Sequence, residues 1–306
     1  MTSVMFPGQG SQKPGMTKDF YDNFSIAKET LEEIENSVSI NLKNIIFKNE
    51  DNLLDITKYT QLAIFASSLM IYRTLNQQLN MNNKVSIMLG HSLGEYSALT
   101  SSGKLSLSSC SKLLKLRGEL MNTAAGDKST GMAALIGLNS ETVEKIIIEN
   151  DLKIEIANDN SPNQVVISGE ISEIEKSKIY FDKVGLKKFV KLNVSSAFHS
   201  KFMLSAQQSL NDEIDKMNFE VNNIKIISNY SSMISSNNDE IINSLKNQMA
   251  NMVKWKESII NLSQNGEDSL IEIGPGKVLS GLVKRTTNVF KITSIDTIND
   301  LSNISI

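Results

Sequence analysis

The chain has 306 residues, of which 40% are hydrophobic and 21% charged, and its formal net charge is -3 at pH 7. These values are ordinary for a globular protein with a sizeable core, and the small negative charge argues against a nucleic-acid-binding protein. We see no apolar run of the roughly 18 residues that a membrane span requires and no signal peptide, so we expect a cytoplasmic protein that does not bind membranes. Cys110 is the only cysteine, which excludes a disulfide framework and a thiolate metal cluster.

Strands and helices alternate along the first part of the chain. The sequence predicts strands at 3–6 and 84–89 and helices near 16–35, 57–78, 93–102 and 107–125. Units that run from strand through loop to helix in this order are typical of an α/β fold with a mainly parallel sheet. One large domain, or a large domain that carries a small one, fits the length.

The segment 126–195 has a different pattern. It predicts strands at 131–138, 153–158, 164–169 and 187–194, and helices at 140–150 and 171–185, the first of them capped by Ser140. The order βαββαβ is that of a ferredoxin-like unit. We therefore expect a ferredoxin-like subdomain at 126–195, inserted into a larger domain formed by 1–125 and 196–306.

The larger domain resumes after the insert. The sequence predicts helices near 200–217 and 239–250, then strands at 269–274 and 290–296, with a helix that opens at the turn GPGK between these strands.

The motif GHSLG at 90–94 lies between a predicted strand and a predicted helix, which is the context of a nucleophile elbow. Glycine at both ends lets the backbone turn sharply and lets the helix pack close to the strand. Ser92 would stand at the helix N-terminus, where free N–H groups favour an oxyanion. Glu95 falls in the first helical turn, where its charge suits the helix dipole. We predict that Ser92 is a nucleophile, and the alternative is a turn without catalytic function.

A serine hydroxyl needs a base, which is usually histidine, and the chain has two histidines. His91 adjoins Ser92, and neighbours on a sharp turn point apart, so His91 is a poor base. His199 lies where a predicted strand ends and a helix begins, at the edge where α/β sites form. No acidic residue between Ser92 and His199 is well placed to orient the imidazole, so we predict a Ser–His dyad, in which a backbone carbonyl could orient the ring.

One arginine lies on an apolar helix face. In the helix predicted at 107–125, Arg117 follows Leu113 by four residues and precedes Met121 by four. An arginine that faces a core needs an anion. Two interpretations stay open, an ion pair with a protein carboxylate or a bidentate site for a substrate carboxylate. In the second, the acyl group on Ser92 would have a charged tail.

Motifs along nearly the whole chain resemble one family. They are FPGQGSQ at 6–12, GHSLGEYSAL at 90–99, RGELM at 117–121, GMAALIGL at 131–138, NSPNQVVISG at 160–169, SSAFHS at 195–200, QMANMVKW at 248–255 and EIGPGKVLSGL at 272–282. In order and combination they are similar to the malonyl-CoA–acyl carrier protein transacylases of bacterial fatty-acid synthesis and to the acyltransferase domains of polyketide and animal fatty-acid synthases. The resemblance implies an α/β-hydrolase-like core with a ferredoxin-like insert.

The resemblance also implies roles for the catalytic residues. Ser92 matches the nucleophile of the family, and His199 matches its base. The backbone N–H groups of Gln9 and Leu93 match the oxyanion hole. The main-chain carbonyl of Gln248 matches the group that holds the histidine, which would explain the missing acid.

Three further residues match the substrate site of the family. Arg117 matches the arginine that pairs with the malonyl carboxylate. Phe198 is similar to the residue that precedes the histidine in acyltransferases that take malonyl rather than methylmalonyl units. Met121, in the RGELM motif, is expected to contact the substrate.

The resulting hypothesis is an enzyme that moves a malonyl group from malonyl-CoA to acyl carrier protein in a ping-pong reaction through Ser92, for fatty-acid elongation. We expect malonyl-CoA and acyl carrier protein as partners, no metal or other cofactor, no nucleic acid and a monomer. Three alternatives stay open. They are a serine esterase or thioesterase, for which Arg117 has no function, an acyltransferase that serves polyketide synthesis, and a catalytically silent homologue.

Overall fold

The structure is a computed structural model that describes residues 2–304. Its strands are β1 Thr2–Phe6, β2 Val85–Gly90, β3 Thr130–Ile136, β4 Ile154–Ser161, β5 Gln164–Glu170, β6 Lys188–Lys191, β7 Lys225–Ile227, β8 Ile234–Ser235, β9 Ser269–Ile273 and β10 Lys291–Ile295. Its α-helices are α1 Lys18–Asn23, α2 Ser25–Val38, α3 Leu42–Phe47, α4 Thr57–Leu79, α5 Gly94–Ser101, α6 Leu107–Thr123, α7 Ser140–Glu149, α8 Ile171–Asp182, α9 Leu204–Ile214, α10 Asn238–Lys246, α11 Trp255–Gln264 and α12 Val278–Thr286. In this part of the chain no helix is long and apolar enough to cross a membrane.

The larger sheet has six strands in the order β10-β9-β1-β2-β7-β8. All neighbouring pairs are parallel except β7 and β8, which are antiparallel. In β1, Val4 and Phe6 pack into one hydrophobic cluster, and Met5 packs into another on the opposite face. A strand that is buried on both faces has a continuous apolar run, which explains the sequence of β1.

Helices cover both faces of this sheet. On one face, α2, α4, α5 and α6 supply apolar side chains to the larger hydrophobic cluster. On the other face, α11 and α12 pack against the strands around the fully buried Trp255. The sheet therefore forms the middle of three layers, and the carboxyl ends of β1 and β2 lie side by side, with Phe6 paired to Gly90.

The smaller sheet has four strands in the order β4-β5-β3-β6, and every neighbouring pair is antiparallel. Its elements follow one another without interruption from β3 to β6, and α7 and α8 pack on it around a separate hydrophobic cluster. β4 is joined to the segment that precedes α11, where the backbone N–H of Asp159 donates to the carbonyl of Val253 and the N–H of Val253 donates to the carbonyl of Ala157. The mixed α/β architecture and the mainly parallel larger sheet predicted from the sequence are confirmed.

Several predicted details are wrong. The helix predicted at 16–35 is two helices, because Phe24 between α1 and α2 is extended, with φ -126° and ψ 125°. The cap of α7 is Asn139, whose side chain accepts a hydrogen bond from the backbone N–H of Thr142, whereas Ser140 donates its hydroxyl to Asp159. The helix predicted at 239–250 ends at Lys246. No element was predicted at the positions of α3, α11, β7 and β8.

Candidate active site

Ser92 lies on the turn between β2 and α5. Its φ is +51°, in the left-handed region that side chains other than glycine rarely adopt. A Cβ atom on Gly90 would lie 2.0 Å from the backbone carbon of Gly94, and a Cβ on Gly94 would lie 2.2 Å from the carbonyl oxygen of Phe6. The turn is therefore as sharp as the motif predicts, and it needs glycine at both positions.

Ser92 and His199 are in contact. The distance from Ser92 Oγ to His199 Nε2 is 2.8 Å, and His199 Nδ1 lies 3.0 Å from the main-chain carbonyl oxygen of Gln248. Because a carbonyl can only accept, Nδ1 carries the proton and donates it, and Nε2 is free to accept the proton of the serine hydroxyl. The arrangement is a dyad in which a backbone carbonyl occupies the place of the usual acid.

His199 is buried, with 4% of its surface exposed. Burial lowers the pKa of His199 to about 3, and the nearby positive charge of Arg117 adds to the effect. The imidazole is therefore neutral at neutral pH, which is the form that acts as a base.

Arg117 projects from α6 toward the same point. It is 1% exposed, and its Nη2 donates to Ser92 Oγ at 3.0 Å and to Gln248 Oε1 at 2.9 Å, while Nη1 donates to Gln61 Oε1 at 2.6 Å. Its guanidinium carbon lies 5.2 Å from the centre of the Tyr96 ring. Within residues 2–304 it has no ion pair with a carboxylate, so the first of the two interpretations of Arg117 does not describe this structure.

A cavity of about 340 Å³ opens in front of Ser92. Among its lining residues are the predicted site residues Gln9, Leu93, Met121 and Phe198. In the described part of the chain the backbone N–H groups of Gln9 and Leu93 donate no hydrogen bond. Gln248 is buried behind the cavity and does not line it.

His91 points away from the serine hydroxyl. Its Nε2 lies 2.8 Å from Asn160 Oδ1 in β4, and its ring lies 5.5 Å from that of Trp255. His91 therefore fixes the turn against the smaller sheet and has no contact with Ser92 Oγ.

Three residues that the sequence analysis did not assign to the site support it. Gln61 on α4 holds Arg117, and Asn229 accepts the backbone N–H of Ser92 at 2.6 Å through its Oδ1. Glu95 is 0% exposed and accepts a hydrogen bond from Gln248 Nε2 at 2.7 Å. It lies in the first turn of α5, as predicted, but it is buried in the site and is not a surface residue. Of the three, only Glu95 lies in a motif that could have drawn attention to it.

Residues 2–304 contain no group of three or more metal-ligating side chains.

An elbow serine in contact with a neutral histidine is the arrangement of enzymes that form acyl-serine intermediates. Residues 4–301 match the model of the acyl transferase domain, and the chain belongs to this family.

Two curated relatives cover most of the chain. The malonyl CoA-acyl carrier protein transacylase of Bacillus subtilis is 33% identical over 96% of this chain and 92% of its own length. The polyketide biosynthesis protein PksE of the same species is 38% identical over 94% of this chain, and the chain spans 37% of the length of PksE.

Solved structures have the same mixed fold, with a parallel sheet and a separate antiparallel sheet. The acyl-carrier-protein-S-malonyltransferase of Bartonella henselae is 37% identical, with a TM-score of 0.94 over 99% of this chain and 97% of that chain. A malonyl-transacylase in complex with its type II polyketide acyl carrier protein is 31% identical, with a TM-score of 0.93 over 99% of this chain and 98% of that chain.

Proposed function

We propose that this protein transfers a malonyl group from malonyl-CoA to the phosphopantetheine thiol of acyl carrier protein through an ester on Ser92, and so supplies fatty-acid elongation. The observation that carries the proposal is the buried guanidinium of Arg117, 3.0 Å from Ser92 Oγ and without a carboxylate partner in residues 2–304. Such a group fits an acyl chain that ends in a carboxylate. The names of the relatives and of the solved structures point to the same reaction.

In the first half of the reaction Ser92 Oγ attacks the thioester carbonyl while its proton moves to Nε2 of His199. The backbone N–H groups of Gln9 and Leu93 bind the oxyanion, and the loss of one such donor typically costs about 10²–10³ in rate. The C–S bond breaks, and the CoA sulfur takes the proton from His199. The carbonyl of Gln248 holds the protonated ring, and no metal or other cofactor takes part.

In the second half the thiol of phosphopantetheine occupies the position of CoA. It gives its proton to Nε2 of His199, and its sulfur attacks the ester carbonyl. The C–O bond to Ser92 breaks, and Ser92 Oγ recovers the proton. Arg117 pairs with the malonyl carboxylate throughout, and Met121 and Phe198 line the space around the acyl chain.

We further propose an α/β-hydrolase-like core formed by 1–125 and 196–306 and a ferredoxin-like subdomain at 126–195. The strand order β4-β5-β3-β6, with a helix after β3 and another after β5, supports the second assignment because it is the order of a split βαβ unit. Met132 and Asn158 of this sheet line the cavity, so the subdomain can shield the ester from water.

The test is acylation of the intact protein. Incubation with malonyl-CoA should add the mass of one malonyl group, and Ser92→Ala should abolish the addition. Holo acyl carrier protein should then remove the group and carry it. If no adduct forms, the protein is a silent homologue, and if the malonyl group passes to water while the carrier protein is present, it is a thioesterase.

A polyketide pathway is the second candidate. PksE and the polyketide transacylase BaeC of Bacillus velezensis are 38% and 37% identical to this chain, compared with 33% for the Bacillus subtilis malonyl CoA-acyl carrier protein transacylase. Transfer rates to a fatty-acid carrier protein and to a polyketide carrier protein, measured side by side, separate the two pathways. The monomeric state and the cytoplasmic location expected from the sequence stay predictions.

A further inference from the structure

One buried carboxylate oxygen lies at the centre of the hydrogen bonds behind the site. Glu95 Oε2 accepts from Gln248 Nε2 at 2.7 Å and from the backbone N–H of Asn229 at 3.1 Å. Glu95 is 0% exposed, and its other oxygen, Oε1, has no hydrogen-bond partner in the described residues. Burial raises the pKa of Glu95, and a buried carboxylate is costly unless hydrogen bonds compensate it.

The two residues that Glu95 holds in turn hold the backbone of Ser92 from both sides. Asn229 Oδ1 accepts the N–H of Ser92 at 2.6 Å, and Gln248 Nε2 donates to the carbonyl of Ser92 at 3.0 Å. Ser92 has a φ of +51°, a conformation that costs a serine free energy and persists only where the surroundings enforce it. Asn229 and Gln248 therefore hold Ser92 in its strained conformation, and both residues donate to Glu95 Oε2.

Glu95 also decides how the side-chain amide of Gln248 is oriented. Because the backbone N–H of Asn229 donates to Glu95 Oε2, this oxygen is an acceptor, and the amide of Gln248 turns its Nε2 toward it. Gln248 Oε1 then faces the opposite way and accepts from Nη2 of Arg117 at 2.9 Å. If the amide were reversed, its NH₂ group would face the guanidinium and the acceptor would be lost.

We propose that Glu95 is a positioning residue that acts through Gln248 and Asn229, setting the Ser92 turn and the orientation of Arg117. Glu95 does not line the cavity, so we expect no contact between it and a substrate bound there. The inferred effect of Glu95 on Arg117 rests on the proposed function. It predicts that Glu95 contributes to the preference for a malonyl group over an acyl group without a carboxylate.

The first test compares Glu95→Ala with Glu95→Gln. The initial rate of Ser92 acylation is measured by intact mass with malonyl-CoA and with acetyl-CoA, and the ratio of the two rates is the readout. In Glu95→Ala we expect this ratio to fall by about 10-fold to 100-fold, the value of a hydrogen bond to a charged group. In Glu95→Gln an amide oxygen can replace Oε2, so the ratio should stay within about threefold of the wild type.

The matched control is Glu257→Ala. Glu257 also lies in the first turn of a helix, α11, but it is exposed. Its replacement should change neither rate. If Glu95→Ala does not fold, Glu95→Asp takes its place, because aspartate keeps the carboxyl group but is too short to reach both donors.

A second test asks whether Glu95 acts through Gln248. Gln248→Met removes the side-chain amide and keeps the main-chain carbonyl that holds His199. In this background Glu95→Ala should not lower the malonyl-to-acetyl ratio further, so the two effects should not add. Additive effects would overturn the route through Gln248.

The outcomes separate this inference from the proposed function. A wild-type protein without a malonyl adduct refutes the proposed function. A wild-type protein that forms the adduct, with a ratio that Glu95→Ala leaves unchanged while both rates fall together, overturns only the positioning of Arg117 by Glu95.

Discussion

Nη2 of Arg117 lies 3.0 Å from Oγ of Ser92, so the positive charge that we assign to substrate binding also touches the nucleophile. A cation at this point favours the serine oxygen as negative charge develops on it and disfavours a second positive charge on His199. Arg117 therefore influences both the acyl group that is accepted and the base that activates Ser92.

Arg117→Ala should strongly reduce acylation of Ser92 by malonyl-CoA and reduce acylation by acetyl-CoA little or not at all. A charge-assisted hydrogen bond contributes about 1.5–3 kcal/mol, which corresponds to about 10-fold to 100-fold in rate. Arg117→Lys keeps the charge without the bidentate geometry, and we expect an intermediate loss for malonyl-CoA. Equal losses for both substrates would show that Arg117 does not act on the malonyl carboxylate. The measurement is the acylation rate by intact mass.

The pH dependence of kcat/KM reports the pKa values of groups in the free enzyme. As far as His199 determines it, the kcat/KM of malonyl-CoA should be nearly independent of pH from about 8 down to about 5. Burial lowers the pKa of His199 to about 3, so its basic form persists as the pH falls through the ordinary value of 6.5. In Arg117→Ala one cause of the lowering is removed, so the loss of activity should begin at a higher pH than in the wild type. An inflection near 6.5 in the wild type would contradict this prediction.

Gly90→Ala should destabilise the fold by about 3 kcal/mol or more, which is the upper end of the cost of overpacking. The added Cβ would meet the backbone of Gly94 at 2.0 Å, and this backbone can move only if the turn that carries Ser92 opens. The control is Gly131→Ala in β3, where the nearest atom is a side-chain carbon of Ile171 at 3.4 Å. We expect the control to change the free energy of unfolding by less than about 1 kcal/mol, measured by chemical denaturation.

Lys256→Met should loosen the contact between α11 and the smaller sheet. Lys256 Nζ lies 2.9 Å from Asp159 Oδ2 and 3.0 Å from Ser140 Oγ, and the side chains of Lys256 and Asp159 are only 15% and 10% exposed. We expect a loss of about 1.5–3 kcal/mol and faster hydrogen exchange at β4. Lys178→Met, which breaks an exposed pair with Asp182 within α8, should cost about 0.5 kcal/mol or less. Equal effects of the two variants would argue against a contact of this kind.

The parts of the fold that could be predicted are those in which local pattern and burial agree. The apolar runs of β1 and β2 and the helix α4 were found because each is long enough and buried enough to show in composition. In contrast, β7 has three residues and takes its place only by pairing with β2, and this pairing leaves no local signal. Phe24 ends α1 by adopting an extended conformation in a stretch that otherwise looks helical.

In the site, too, residues with a local sequence signal could be predicted, and residues whose function depends on a distant partner could not. Ser92 and His199 could be predicted because a short motif and the scarcity of histidine narrow the choice, and Arg117 because its charge breaks an apolar face. Gln61 and Asn229 could not, since each is an ordinary polar residue whose importance comes from a partner far away in the chain. Asn229, for example, meets Ser92 across 137 positions.

The arrangement of the larger sheet also determines when a growing chain can complete it. β1 comprises the first described residues, yet its neighbours in the sheet are β2, which ends at residue 90, and β9, which ends at residue 273. During synthesis one edge of β1 must therefore stay unpaired until β9 has left the ribosome. An exposed apolar strand edge is prone to aggregate, so we expect a nascent or truncated chain that ends before β9 to depend on chaperones.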